Sequence, residues 1–345
     1  PKNQAKGAVA GHKVLVEVTG WAEERRNPDG KIVAIIGHVN DPGVDILSII
    51  YQYDLPLEFP DEVMKQVETI SDEVSDQDKK GREDMRHIPM VTIDGEDAKD
   101  LDDAISLEKL DNGNYRLGVH IADVTHYVKS GSAIDKEAYN RGTSVYLVDR
   151  VIPMLPHKLS NGICSLNVGV DRLALTCMMD VDHNGNVVSH RIIETLINID
   201  ERMSYTDVNQ ILIGDDEALI KRYQDHVDMF KNMEELALIL RKKRSKRGSI
   251  DFDFEESKVI VDENGKPIDI VAFDRNIATR IIEEFMLLSN ETIAEDYYWQ
   301  EKPFLYRSHE EPDSEKIEKL SAFIYNFGYK IKGARSKIHP KDLQK

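Results

Sequence analysis

Cysteine is almost missing from this sequence: Cys164 and Cys177 are the only two, so at most one bridge can form, and their spacing matches no metal motif. That excludes a disulfide framework. A reducing compartment is expected, hence a cytoplasmic location with no disulfide partner, and both thiols read as small buried side chains. The chain also lacks any apolar run of the ~18 residues a membrane span needs, and no basic stretch leads into an apolar core at its start. It therefore reads as having no membrane partner and no visible secretion signal. Internal repeats and low-complexity tracts are absent. Positive charge is in deficit, with 45 Lys and Arg against 63 Asp and Glu and a net charge of −18. Such a balance argues against a general phosphate binder, although contact with a nucleic acid needs only a local basic channel.

The acidic excess is concentrated. Within Asp94–Asp103 stand Asp94, Asp100, Asp102 and Asp103, with Glu96 and Asp97 beside them, between two apolar runs. Carboxylates brought to one point repel one another unless a divalent ion compensates them. Oxygen donors with no Cys or His among them suit Mg²⁺, Mn²⁺ or Ca²⁺ and argue against zinc. An EF-hand fails on spacing, because its sixth position counted from Asp100 is Ile105, where a glycine is needed. The residues leave two readings open, a solvated acidic loop and a cation site. Ile93 and Leu101, set inside the cluster, and the strand-like Ala104-Ile-Ser-Leu107 after it favour the second.

With 345 residues the chain has room for one large domain and a smaller piece. Lys13–Val18 and Lys31–Gly37 read as strands joined by a turn at Asn27–Gly30. Two strands bury no core alone, so they look like part of a small barrel. Val63, Val67 and Ile70 at helical spacing predict an acidic amphipathic helix within 61–84. From about Met85 the pattern is mixed α and β. Hairpins are expected at Asp111–Asn114, His183–Asn186 and Asp262–Gly265. Ser132 and Ser204 read as helix caps, a long charged helix is expected over about 216–247, and another over about 276–296. The last carries Ile277, Ile281, Phe285 and Leu288 as its buried stripe, and a separate row containing Arg280 and Glu283, an ion pair on a solvated face unless the pair has other work. Arg241-Lys242-Lys243-Arg244-Ser-Lys-Arg247 puts six positive charges in seven residues, open to two readings: phosphate contact, or a helix end complementing the dipole.

The spacing Asp94-x₅-Asp100-x-Asp102-Asp103 is followed by His120-Ile-Ala-Asp-Val124, Arg141-Gly-Thr-Ser-Val-Tyr146, Ile152-Pro-Met-Leu-Pro-His-Lys-Leu-Ser160 and Cys164-Ser-Leu166. This ordered set resembles the catalytic domain of the ribonuclease II/ribonuclease R family, the RNB exoribonucleases. Asn40–Ile50 is similar to the bacterial ribonuclease R branch of it. The resemblance implies an α+β fold: a partial cold-shock/OB-type β-barrel at 1–60, an acidic helical linker at 61–84, and the N-terminal portion of an RNB catalytic domain at 85–345. It implies a metal-dependent, processive 3′→5′ exoribonuclease that takes the 3′ end of single-stranded RNA and releases nucleoside 5′-monophosphates, with Mg²⁺ as cofactor, Mn²⁺ as the alternative, and a monomeric parent. On the same ground Asp94, Asp100 and Asp103 are the expected metal ligands. Asp102 orients the attacking water or terminal ribose, Tyr205 sits near the scissile end, and Glu283 is the active-site glutamate, with Glu284 as alternative. Tyr146 and Phe252 are the expected base-stacking aromatics, Phe254 competing with Phe252. Family catalytic domains continue into a Ser-Pro-Ile-Arg-Arg-Tyr-type motif and a further OB-type domain, and neither occurs in these 345 residues. Whether the stretch turns over RNA or is an RNA-binding module without turnover stays open at this point.

Overall fold

Proline, glycine and Asn-Gly turns cut the chain into short strands, and the computed structural model follows that punctuation. It describes residues 4–21, 27–214, 216–252, 256–263, 265–273, 275–331 and 338–344. The chain divides into two units, each assembled from three stretches of sequence: 1–70, 128–157 and 255–274 form one; 71–127, 158–254 and 275–345 the other.

In the first unit β1 (His12–Gly20) and β2 (Asp29–His38) form an antiparallel hairpin, followed by α1 (Val44–Gln52) and α2 (Asp61–Glu68). Its later stretches add α4 (Ala133–Arg141), the short pair β7 (Val145–Tyr146) and β8 (Val151–Ile152), and the pair β12 (Glu256–Val261) and β13 (Pro267–Phe273). Ser132 caps α4 by accepting from the Asp135 N–H, as its sequence position predicts. Arg141 closes this unit. Its guanidinium donates to the backbone carbonyls of Pro56, Glu58 and Pro153, pairs with Glu137, and lies 3.7 Å from the Phe59 ring centroid.

The second unit is built on a seven-stranded mixed sheet in the order β11-β4-β5-β6-β9-β10-β3. Its strands are β3 (Glu83–Asp84), β4 (Val91–Asp94), β5 (Asp103–Lys109), β6 (Tyr115–Ala122), β9 (Asp171–Val181), β10 (Val187–Asn198) and β11 (Glu201–Ser204). Pairing is parallel at β10–β3 and β11–β4, antiparallel elsewhere. The turns after β5 and β9 are the Asn-Gly turns expected from sequence. α3 (Val124–Tyr127) follows β6. Helices α5 (Tyr205–Ile213), α6 (Glu217–Arg222), α7 (Val227–Arg247) and α8 (Ile277–Trp299) come next, then α9 (Ser314–Tyr325) and α10 (Pro340–Gln344). One core joins Ile105, Leu117, Val119 and Met179 of the sheet to Phe230 and Leu236 of α7 and Phe285 of α8; a smaller one holds Met90, Leu101, Ala104 and Leu166. Among the described residues no helix is long and apolar enough to cross a membrane.

Two expected helices are shorter than their patterns. The 61–84 helix stops at Glu68, and beyond it Ser75 and Asp78 exchange side-chain-to-backbone hydrogen bonds that compete with a helix. The 216–247 helix breaks between Arg222 and Val227, where the chain turns to bury Tyr223 in the larger core.

Candidate active site

The four aspartates occupy the gap between two central strands of the second unit. Asp94 ends β4 and lies in register with Ser204 of the parallel β11. Asp103 opens β5 opposite Ile121. The loop between them is held from outside. Arg202 donates to the carbonyls of Glu96 and Ala98, and Ser165 accepts from the Leu101 N–H while donating to the Lys99 carbonyl. At its far end the Asp102 carbonyl accepts from the Ala122 N–H. These anchors set where Asp100 and Asp102 stand. Neither Arg202 nor Ser165 was expected from sequence, because a side chain that bonds a distant loop carbonyl leaves no local pattern.

The charges of the four aspartates are coupled. Asp94 feels the charges of Asp100 and Arg202, while Asp102 and Asp103 both feel Asp94, so Asp94 is the hub of the group. Burial, and after it this mutual repulsion, raises the pKa of Asp94, of Asp102 and of Asp103, the last to about 6. The Tyr205 hydroxyl, at the start of α5, is pushed up to about 12 by burial and by Asp94 and Asp103, which places the tyrosine against the carboxylates. A hard divalent cation suits this donor set, since all the donors are oxygens and their charges resist sharing the space without one. Among the described residues, however, no three His, Cys, Asp or Glu side chains already stand as ligands of a single ion do.

Glu283 on α8 has its carboxylate held by Arg275 at 2.6 Å and by Arg244 at 3.4 Å, not by Arg280. Glu284 is 4% exposed and ion-paired with Arg244 at 2.6 Å. Of the two, Glu284 is thus locked between α7 and α8 and Glu283 is the more accessible. The basic run of α7 spends much of its charge on neighbours: Arg241 pairs with Asp251, Arg247 with Glu291, and Lys243 donates to the Gly185 carbonyl. Lys242 is exposed. Phe252 is 58% exposed, outside any strand; its competitor Phe254 lies outside the described residues. Tyr146, in the first unit, is 65% exposed on β7. His120 belongs to the core: it is fully buried, bonded to Ser106 and Thr176. Cys164 and Cys177 are both buried, and burial pushes the Cys164 thiol up to about 12.

Comparison with known proteins gives this arrangement a family. The RNB domain matches residues 82–345 and the cold shock domain residues 1–60; the chain belongs to the RNB-domain family. Ribonuclease R of Thermotoga maritima is 50% identical over 342 residues, covering 98% of this chain and 48% of that relative. The chain thus spans about half the length of the curated relatives it matches. Two solved structures of Mycoplasma genitalium RNase R, each 28% identical, share the fold. The apo form has a TM-score of 0.91, covering all of this chain and 53% of that one. A complex with ribose-methylated single-stranded RNA has a TM-score of 0.87, covering 95% and 51%.

Proposed function

We propose that this chain is part of a divalent-metal-dependent 3′→5′ exoribonuclease that hydrolyses single-stranded RNA processively to nucleoside 5′-monophosphates in the cytoplasm. Its domain plan is the one the sequence suggests, a cold-shock-type segment to about 60 and the RNB catalytic region from about 85. The observation that carries this reading is the coupling of Asp100, Asp102 and Asp103 to one hub, Asp94, in a chain of the RNB family. The coverage by ribonuclease R relatives and the RNA-bound RNase R structure support it.

Asp94, Asp100 and Asp103 are the side chains that would hold Mg²⁺ or Mn²⁺. A bound divalent ion would supply charge neutralisation at the phosphate and a nucleophilic hydroxide near neutral pH. The chain's own residues then position the reactants. Asp102, one of the coupled carboxylates, accepts a hydrogen bond from the attacking water or the terminal ribose. Tyr205, with its proton firmly held, can donate to the scissile phosphate. Tyr146 and Phe252, both exposed, offer faces on which any base can stack, which sequence-independent degradation requires. Lys242 is the first candidate for phosphate contact in the α7 run, with Arg241, Lys243 and Arg244 already engaged.

The test is Asp102→Asn in the full-length protein. Degradation of a 5′-labelled single strand with Mg²⁺ is expected to fall by several orders of magnitude, while RNA affinity, measured by fluorescence anisotropy, stays within a few-fold. Joint loss of binding and activity would instead assign Asp102 a structural role.

A further inference from the structure

A guanidinium is buried behind the aspartate loop, and carbonyls rather than carboxylates receive its hydrogen bonds. Arg172, the second residue of β9, is 6% exposed. Its Nε donates to the Ser165 carbonyl at 2.7 Å, its Nη2 to that of Gly162 at 3.1 Å and its Nη1 to that of Asp171 at 3.0 Å. Burial works against this charge and lowers the Arg172 pKa. Two of the three carbonyls already have another donor. The Ser165 carbonyl accepts from the Asn167 N–H at 2.8 Å, and the Gly162 carbonyl from the Ser165 N–H at 3.1 Å. Arg172 is therefore not needed to satisfy them, and an apolar side chain of similar size would avoid the desolvation cost. What the cation adds is alignment, because it ties both ends of the 162–165 turn to the start of β9.

That turn carries Ser165, which is fully buried. The Ser165 hydroxyl accepts from the Leu101 N–H at 3.1 Å and donates to the Lys99 carbonyl at 3.0 Å. These two groups belong to the peptide planes on either side of Asp100. Holding both planes restrains φ and ψ of Asp100, and with them the direction of its Cα–Cβ bond. The Leu166 N–H adds a third hold, on the Leu101 carbonyl at 2.9 Å. Leu101 and Leu166 also share one core with Ala174, which lies two residues beyond Arg172 on the same face of β9.

We infer that Arg172 is a positioning residue for the cation site: through the Ser165 hydroxyl it sets the direction in which Asp100 presents its carboxylate, and so the affinity for a divalent ion. The inference rests on the proposed reading of Asp100 as a metal ligand. Groups behind metal ligands act in this way, orienting a donor without touching the ion.

The test measures Mn²⁺ binding by the full-length protein, from the electron paramagnetic resonance signal of the free ion, alongside urea unfolding without metal. Arg172→Met is expected to bind Mn²⁺ about tenfold more weakly while its unfolding midpoint holds or rises. A residue that only stabilised the fold would show the opposite, a lower midpoint at unchanged affinity. Ser165→Ala should weaken binding by a similar factor, and the double variant should stay within about threefold of Ser165→Ala, since the two residues act in series. If Arg172→Met does not fold, Arg172→Lys decides: with one nitrogen in place of three it should bind Mn²⁺ severalfold more weakly than wild type. The inference is overturned by a variant at Arg172 that binds within about twofold of wild type, or by losses that multiply in the double variant. A wild type that binds no Mn²⁺, or Asp100→Asn binding it as tightly as wild type, overturns the reading of Asp100 as a ligand and takes this inference with it.

Discussion

His120 illustrates how one residue joins packing to pH response. Its ring bridges Ser106 at 2.9 Å and Thr176 at 2.9 Å, and Thr176 continues to Thr195 at 2.7 Å, so a polar ladder crosses β5, β6, β9 and β10 inside the sheet. Gly118 makes room for it, since a Cβ there would lie 2.3 Å from Ser106 Oγ and 2.7 Å from His120 Nε2. Full burial lowers the His120 pKa from 6.5 to about 4. The unfolded chain therefore takes up the proton first on acidification. The stability that neutral His120 contributes is present above pH 6.5 and is lost as pH falls through about 4. The loss should approach about 3 kcal/mol. Urea unfolding of the wild type and of His120→Gln at pH 7 and pH 4.5 checks this: the variant should start less stable and show the shallower decline. Equal pH slopes would show that other groups govern acid sensitivity.

Among the elements, the pairing of α7 with α8 recasts the basic run. Arg244 meets Glu283 and Glu284 across the helix interface, Arg247 meets Glu291, and Arg275 adds a second hold on Glu283. Two of the six cations of this run, Arg244 and Arg247, thus join α7 to α8. Removing Arg244 leaves Glu284 buried without its partner. Arg244→Ala should cost about 3 kcal/mol, the low end for an orphaned buried charge, because Arg244 itself is partly open to solvent. Lys242→Ala, at an exposed position, should stay within about 0.5 kcal/mol. Urea denaturation at pH 7 separates the two, and comparable small losses would mean that water readily replaces Arg244 around Glu284.

At the scale of the whole molecule, the exposed Tyr146 and the carboxylates are carried by different units. Tyr146 belongs to the first, while Asp94, Asp100, Asp102 and Asp103 belong to the second. Under the proposed function Tyr146 stacks on a base of the bound strand. Tyr146→Ala should then lengthen the shortest end product of a 5′-labelled oligoribonucleotide without changing metal affinity, since stacking contributes about 1–3 kcal/mol per base. Unchanged end products, or cleavage within a circular RNA, would reject a clamp on the 3′ end.

By itself the sequence determined what is local or ordered along the chain. The Asn-Gly turns flanking β6 and closing β9 onto β10, the caps at Ser132 and Ser204, the buried stripe of α8 and the aspartate spacing all follow from neighbouring residues whose preferences agree with the fold. Only the tertiary structure decided the rest. β4 is four residues long, β3 only two, and both find parallel partners more than a hundred residues away, a pairing that no local periodicity encodes. Long-range bonds decided the site as well: Arg202 and Ser165 reach the aspartate loop from distant positions, and Arg244 and Arg275 converge on Glu283, where the helix spacing suggested Arg280. Helix and turn signals act over a few residues; these contacts form only when β11, β4 and β5 lie side by side and α7 is packed on α8.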